Sequence, residues 1–174
     1  MNESELLSSA VAQSRDLFKR YLRGFDDRNH VTQTPSLPNH VAWTLGHLAL
    51  TLHRAAEKFD GRPLPASDFV TGDGTAGDAN RYDTESVSFG SKPVSDASRY
   101  PSFARCVAIF DAAINRMCAA VAVADEQKLA TLVKWGPFES PLRDVAIRMV
   151  FHNGTHTGQL ADLRRALGIG SIFA

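Results

Sequence analysis

Cysteine is scarce in this chain: only Cys106 and Cys118 occur among 174 residues. On one helix they would lie about 18 Å apart at 1.5 Å per residue, too far to bridge. That excludes a disulfide framework and points to a reduced, cytoplasmic protein. Charge of one sign is also missing. Nineteen basic residues meet nineteen acidic ones, a formal net charge of zero, so neither nucleic acid nor an acidic membrane is an expected partner. Long apolar runs are absent too. The most apolar stretch, Val41 to Leu52, is interrupted by Thr44, His47 and Thr51, and a bilayer requires about 20 apolar residues. Met1-Asn-Glu-Ser-Glu5 has no basic region leading into an apolar core, so no secretory signal is expected. With 44% apolar residues, the chain is long enough for one buried domain over 1–174 and short for two.

What the chain has is helical periodicity. Apolar positions step by threes and fours in four segments. The first spans about 3–25, with Leu7, Val11, Ser14, Phe18, Tyr21 and Phe25 in step. The second spans about 39–59, through Val41, Leu45, Leu48, Leu52, Ala55 and Phe59, with Pro38 and Asn39 at its start and Asp60-Gly61 at its stop. The third spans about 101–123, through Phe103, Val107, Phe110, Ile114, Met117 and Val121. The fourth spans about 140–167, opened by Ser140-Pro141 as cap and first turn and closed by Gly168. These segments predict an all-α fold, a four-helix bundle. Some 40 residues rich in Gly, Pro, Ser and Asp separate helices two and three. A loop that long is uncommon in a compact domain. It reads as a crossover along a parallel pair of helices, pinned by Phe69, Tyr82, Val87 and Phe89. The link 124–139 reads as a short helix or an extended piece, and no strand pattern or internal repeat stands out.

The chemistry-bearing residues are histidines. His152 and His156 are four residues apart, about 1.1 turns, so both imidazoles leave one face of the fourth helix. They share that seam with Leu142, Val145, Met149, Gln159, Leu163 and Ala166. Each buried neutral imidazole has one donor and one acceptor to satisfy, and an unpaired one costs about 1–3 kcal/mol. A shared metal ion removes that cost for the ligating nitrogens; two hydrogen-bonded core histidines are the plainer alternative. Asn153 stands where a zinc protease has its glutamate base, which disfavours that class.

A catalytic metal site usually has three protein ligands and an open position. The third must come from another helix, and helix two offers His47 and His53, each about 120° off its seam on opposite flanks. Periodicity does not choose between them. Trp43 and Leu50 make the His47 side look buried twice over, whereas Arg54, Glu57 and Lys58 follow His53, which favours His47. His30 reads as a solvated linker histidine and His40 as decoration of the helix-two N-terminus.

Two stretches resemble the DinB-like (YfiT-type) superfamily of metal-binding four-helix bundles. In the first, Trp43 precedes His47 by four residues. In the second, His152-x-x-x-His156 is followed by Gln159 and by Leu163-Arg-Arg165. The resemblance implies a three-histidine site of His47, His152 and His156, completed by water or a small ligand. It implies a divalent metal (zinc, nickel or iron) and often a homodimer. Relatives of this type include S-transferases using bacillithiol, mycothiol or glutathione, a maleylpyruvate isomerase, and the metal-binding half of ergothioneine-type sulfoxide synthases. Many carry an acidic residue directly after the first histidine of the fourth helix, and Asn153 departs from that pattern.

The leading functional expectation is a metal-dependent S-transferase or hydrolase acting on a small molecule, with a low-molecular-weight thiol as a possible cofactor. In that reading Trp43 walls the substrate, Gln159 orients it or a water, and no dedicated base is visible. The alternative is a non-catalytic module in which the metal clips helices two and four together.

Overall fold

A computed structural model of the protein describes residues 1–75 and 77–173. Helix α1 (Glu3–Tyr21) starts at Asn2, whose side chain accepts from the Glu5 amide while the Glu5 carboxylate accepts from the Asn2 amide. This reciprocal cap satisfies two otherwise unpaired donors. Leu7, Val11, Ser14 and Phe18 face inward, as their spacing predicts.

Helix α2 (Val41–Asp60) begins later than expected, and its cap is His40 rather than Pro38 or Asn39. The His40 Nδ1 accepts from the Trp43 amide at 3.1 Å, its Nε2–H points to the Val94 carbonyl at 3.1 Å, and the residue is wholly buried. His30 is buried as well, not solvated: its ring Nδ1 lies 3.1 Å from the Asp27 carbonyl, and its own carbonyl accepts from Ala42. Gly61, at φ 70°, ends the helix in the left-handed conformation that suits glycine.

The long connection after α2 carries two short strands, β1 (Phe69–Val70) and β2 (Tyr82–Asp83), paired in parallel. Phe69, Tyr82 and Val87 are buried as expected, but Phe89 is 95% exposed and pins nothing. Helix α3 (Phe103–Ala122) is capped by the Ser102 hydroxyl. The next link holds both of its alternatives: a short helix α4 (Glu126–Ala130), then an antiparallel hairpin of β3 (Leu132–Trp135) and β4 (Phe138–Pro141). Gly136 turns the hairpin at φ 61°, the conformation a two-residue turn requires. Ser140 therefore lies in a strand instead of capping a helix, and Pro141, expected in the first turn, ends that strand and sits at the N-cap of α5 (Leu142–Ala166), which starts without a side-chain cap. Gly168, at φ 68°, follows its end as predicted.

The protein is thus mostly helical. Helix α1 packs on α3 and α5, and α2 packs on the same two. Helices α2 and α3 run parallel. At one end the His40 ring meets Tyr100, just before α3, edge-on at 4.8 Å; at the other, Arg116 late in α3 bonds Asp60 at the end of α2 at 2.8 Å. The long connection must therefore return along the helices. That is why 15 of the 20 residues of α2 are buried: the crossover covers the flank its helical neighbours leave open. Tyr82 anchors it, donating its hydroxyl to the Ala42 carbonyl at 2.9 Å. Its ring lies so close to Gly46 that a Cβ there would come within 2.5 Å.

Helix α5 buries two rows, since it faces both α1 and α2. Leu142, Val145, Met149, His156 and Leu163 follow the expected seam, while Asn153, Thr157, Leu160 and Arg164 form the second row; Ala166, the last residue of the helix, is exposed. One contiguous apolar cluster, from Val11 and Phe18 through Leu45, Leu48 and Phe110 to Met149, joins the four long helices and supplies the main stabilisation. Among the described residues, no helix is long and apolar enough to cross a membrane.

Candidate metal centre and adjoining cavity

His47, His152 and His156 come together. Each offers a ring nitrogen, and these atoms all lie within 4.8 Å of one another. Ring centroids are 5.1 Å apart for His47–His152 and for His47–His156, and 4.7 Å for His152–His156. The residues arrive from opposite halves of the chain, His47 on α2 and the pair on α5. His53 is elsewhere. Its Nδ1 meets Arg116 at 3.1 Å and its ring lies edge-on to Phe69, so it belongs to a polar clamp between α2, α3 and the start of the crossover.

The crossover supports the His47 flank, which faces α5. It is tied to α2 through His40 to Val94, Trp43 Nε1–H to the Ser91 hydroxyl at 2.9 Å, and His47 to Val87 at 2.9 Å. Positions 40, 43 and 47 are spaced 3 and 4 apart and so share one face of the helix. The segment holding Val87 is itself fixed: the buried Asp83 carboxylate accepts from the amides of Gly74, Glu85 and Ser86. A carbonyl only accepts, so His47 Nδ1 carries the proton and its Nε2 presents a bare lone pair to the cluster.

Burial is the first cause holding all three imidazoles neutral. It pushes His47 below the ordinary 6.5 against the pull of the Val87 carbonyl, with Arg54 adding repulsion. It lowers His152 to about 4, helped by His47, and His156 to about 3, helped by His152 and His47 and opposed by Gln159. Neutral imidazole is the form that ligates.

The donor set fits a metal ion. The Nε2 atoms of His47 and His152 are 3.2 Å apart; two nitrogens bound to tetrahedral zinc at 2.0–2.1 Å are about 3.3 Å apart. Among the described residues, the buried Nδ1 atoms of His152 and His156 lack hydrogen-bond partners, an unfavourable state that ligation relieves only for a ring whose Nδ1 faces the ion. The Val87 carbonyl behind His47 is the kind of outer partner that orients a metal-bound imidazole. This three-histidine group could therefore hold a metal ion.

Trp43 stacks on His47 at 4.7 Å and 9° between planes. Gln159 lies beside His156, with its amide oxygen 3.5 Å from Asn39 Nδ2. Asn153 points away from the histidines: its Nδ2–H donates to Ser14 Oγ on α1 at 2.9 Å, so the position after His152 serves helix packing.

A cavity of about 740 Å³ opens against His47 and His152, between α2, α5, the hairpin and Phe89. Its apolar wall includes Leu50, Met149, Trp135 and Phe138. The hairpin part of that wall escaped sequence reasoning. A signal existed in the β-branched and aromatic run Leu132-Val-Lys-Trp135 followed by Gly136-Pro137 and Phe138. The Val87 contact is made by backbone and has no sequence signature.

Comparison with known proteins places this geometry in a family. No curated protein matches the chain. Among solved structures, a conserved protein from Enterococcus faecalis is similar in fold, with a TM-score of 0.70 and 15% identity over 95% of this chain and 96% of that one. The model of the DinB superfamily matches residues 10–160, and the chain belongs to that superfamily.

Proposed function

We propose that this protein is a metal-dependent enzyme of the S-transferase or hydrolase type, built on a four-helix bundle. His47, His152 and His156 are the ligands of one divalent ion (zinc or nickel, with iron as a further candidate). The observation that carries this reading is the convergence of three neutral imidazoles at the edge of a cavity about 740 Å³ in size, within the usual range for small-molecule sites. The metal would supply Lewis acidity, bringing a thiol or a water toward its nucleophilic anion near neutral pH.

The chain's own residues do the rest. Val87 and Trp43 fix the orientation of the His47 ring. The three histidines are ligands and not proton carriers, since burial keeps them neutral. Trp43 and Gln159 are proposed to meet a small-molecule substrate held at the histidines, and the apolar cavity wall excludes water from it. In the transferase form of the reading, the co-substrate is a low-molecular-weight thiol. The two cysteines are free, which suits a reducing compartment such as the cytoplasm, and a homodimer is the proposed assembly.

The competing non-catalytic module uses the metal as a clip between α2 and α5. Structural sites are usually closed by four ligands, so a cavity against two of the three histidines supports the enzyme. Turnover decides between them. Metal-loaded protein and His152→Ala are assayed for thiol transfer to a chromogenic aryl chloride and for ester hydrolysis. Turnover confined to the wild type supports the enzyme; equal rates in both proteins, or none in either, support the clip.

A further inference from the structure

The charges around the cavity are strongly one-sided. Arg54 and Lys58 reach it from α2, Lys134 from β3 and Arg148 from α5, and Glu57 is the one acid among the residues that line it; Glu139 faces Lys134 across the hairpin without lining the cavity. The chain as a whole is neutral, so this concentration of cations is local. None of the four joins an ion pair among the described residues. Elsewhere many cations are matched, among them Arg116 with Asp60, Arg105 with Asp68, Lys19 with Asp111 and Arg81 with Asp78; what sets the rim apart is that four unpaired cations share one concave wall. Arg54 and Lys58 are also four residues apart on one helix, where like charges repel. An unneutralised cationic rim on a concave apolar surface concentrates anions.

The apolar part of the wall points the same way. Phe89 and Phe138 line the cavity with rings that are 95% and 59% exposed, and Trp135 pairs with Phe138 across the hairpin. Aromatic faces left in water at the mouth of a cleft are surfaces for a ligand's apolar body.

We infer that the cavity selects a small organic anion with an apolar, preferably aromatic, body, its charge held by Arg54, Lys58, Lys134 and Arg148 and its reacting end directed at the histidines. The inference rests on the reading of those histidines as a reaction centre. The charge selection itself depends only on the rim.

Three ligands of nearly equal size separate the terms: phenylacetate, 2-phenylethanol and phenethylamine. Each is titrated into metal-free and zinc-loaded protein and followed by NMR chemical shifts. Phenylacetate is expected to bind at least about tenfold more tightly than the alcohol in both forms, with the amine weakest and the preference shrinking as salt is raised. The double variant Lys134→Gln, Arg148→Gln changes two exposed side chains, so the fold is expected to stand, checked by its melting curve. It is expected to bring phenylacetate close to the alcohol while leaving the alcohol's affinity unchanged. Equal affinities for the three ligands in both forms, or preference for the amine, overturn the inference even if zinc binds. Failure to take up zinc, with anion preference retained, sinks the metal reading alone. A preference that survives the double variant and high salt also overturns the assignment to these cations.

Discussion

His47 donates its Nδ1–H to the carbonyl of Val87, forty residues further along the chain, at 2.9 Å. The bond makes the crossover part of the site. It sets the tautomer that leaves Nε2 free, and it fixes the ring plane that Trp43 stacks upon. The long connection is therefore a supporting wall for the histidine cluster.

Gly46 is the point at which this arrangement is most easily disturbed. A Cβ there would lie 2.5 Å from the Tyr82 ring, and the ring is fully buried with its hydroxyl committed to Ala42. Gly46→Ala is expected to destabilise the protein by about 1–3 kcal/mol through overpacking. It should also weaken zinc binding by about tenfold, because the displaced crossover carries Val87. Thermal melts and zinc titration check both effects.

Trp43 acts on the same wall through its indole N–H. Trp43→Phe keeps a ring against His47 but removes the bond to Ser91. The expected result is a loss of about 1 kcal/mol, read as a Tm lower by about 2–4 °C, with zinc affinity reduced. Ser91→Ala should reproduce most of the loss if the bond to the crossover is the cause.

Acid should destabilise the metal-free protein through its buried histidines. Burial lowers His40 to about 4, and burial with help from Arg116 lowers His53 to about 4. The unfolded chain takes up protons near pH 6.5 that the folded protein refuses until about pH 4. Stability is therefore full above that window and falls as pH drops from 6.5 toward 4. Asp60, held well below the usual carboxylate range by Arg116, loses its contribution only below 3.8. A fall from pH 7 to 5 is expected to cost about 1–2 kcal/mol per buried histidine, or several degrees in Tm. A flat Tm over that range would contradict this.

Removing the metal should leave the fold standing. The apolar cluster joining the four long helices does not involve the histidines, so chelation is expected to leave the far-UV helical signal unchanged at 25 °C. The Tm should fall only by the linkage term, about 4 kcal/mol when free metal exceeds Kd a thousandfold, or about 8–16 °C. Loss of helical signal on chelation would instead identify a structural clip.

Much of this was legible in the chain because its signals are periodic. The inward rows of α1 and α3 follow from the spacing of residues such as Val11, Phe18, Phe110 and Met117. The four-residue spacing placed His152 and His156 together for the same reason. What was not legible has no period. His40 caps α2 through a ring nitrogen, a role more often filled by Ser, Thr, Asp or Asn. His30 is buried by tertiary packing on a polar linker, and Phe89 is exposed although aromatic. The Ser140-Pro141 pair marks the helix start one residue early, because pairing with Val133 and Leu132 across the hairpin places both residues in β4 and leaves Pro141 as the N-cap. The choice of His47 over His53 depends on which flank of α2 faces α5 and which faces α3, and the sequence weighs that only through Trp43 and Leu50.

The most direct test is the metal content of purified protein, by elemental analysis after mild dialysis and zinc supply. Wild type and His53→Gln are each expected to hold about one ion per chain, while His47→Ala, His152→Ala and His156→Ala hold none and still fold. Wild-type protein that takes up no zinc or nickel, or alanine variants that keep a full complement, would contradict the three-histidine centre.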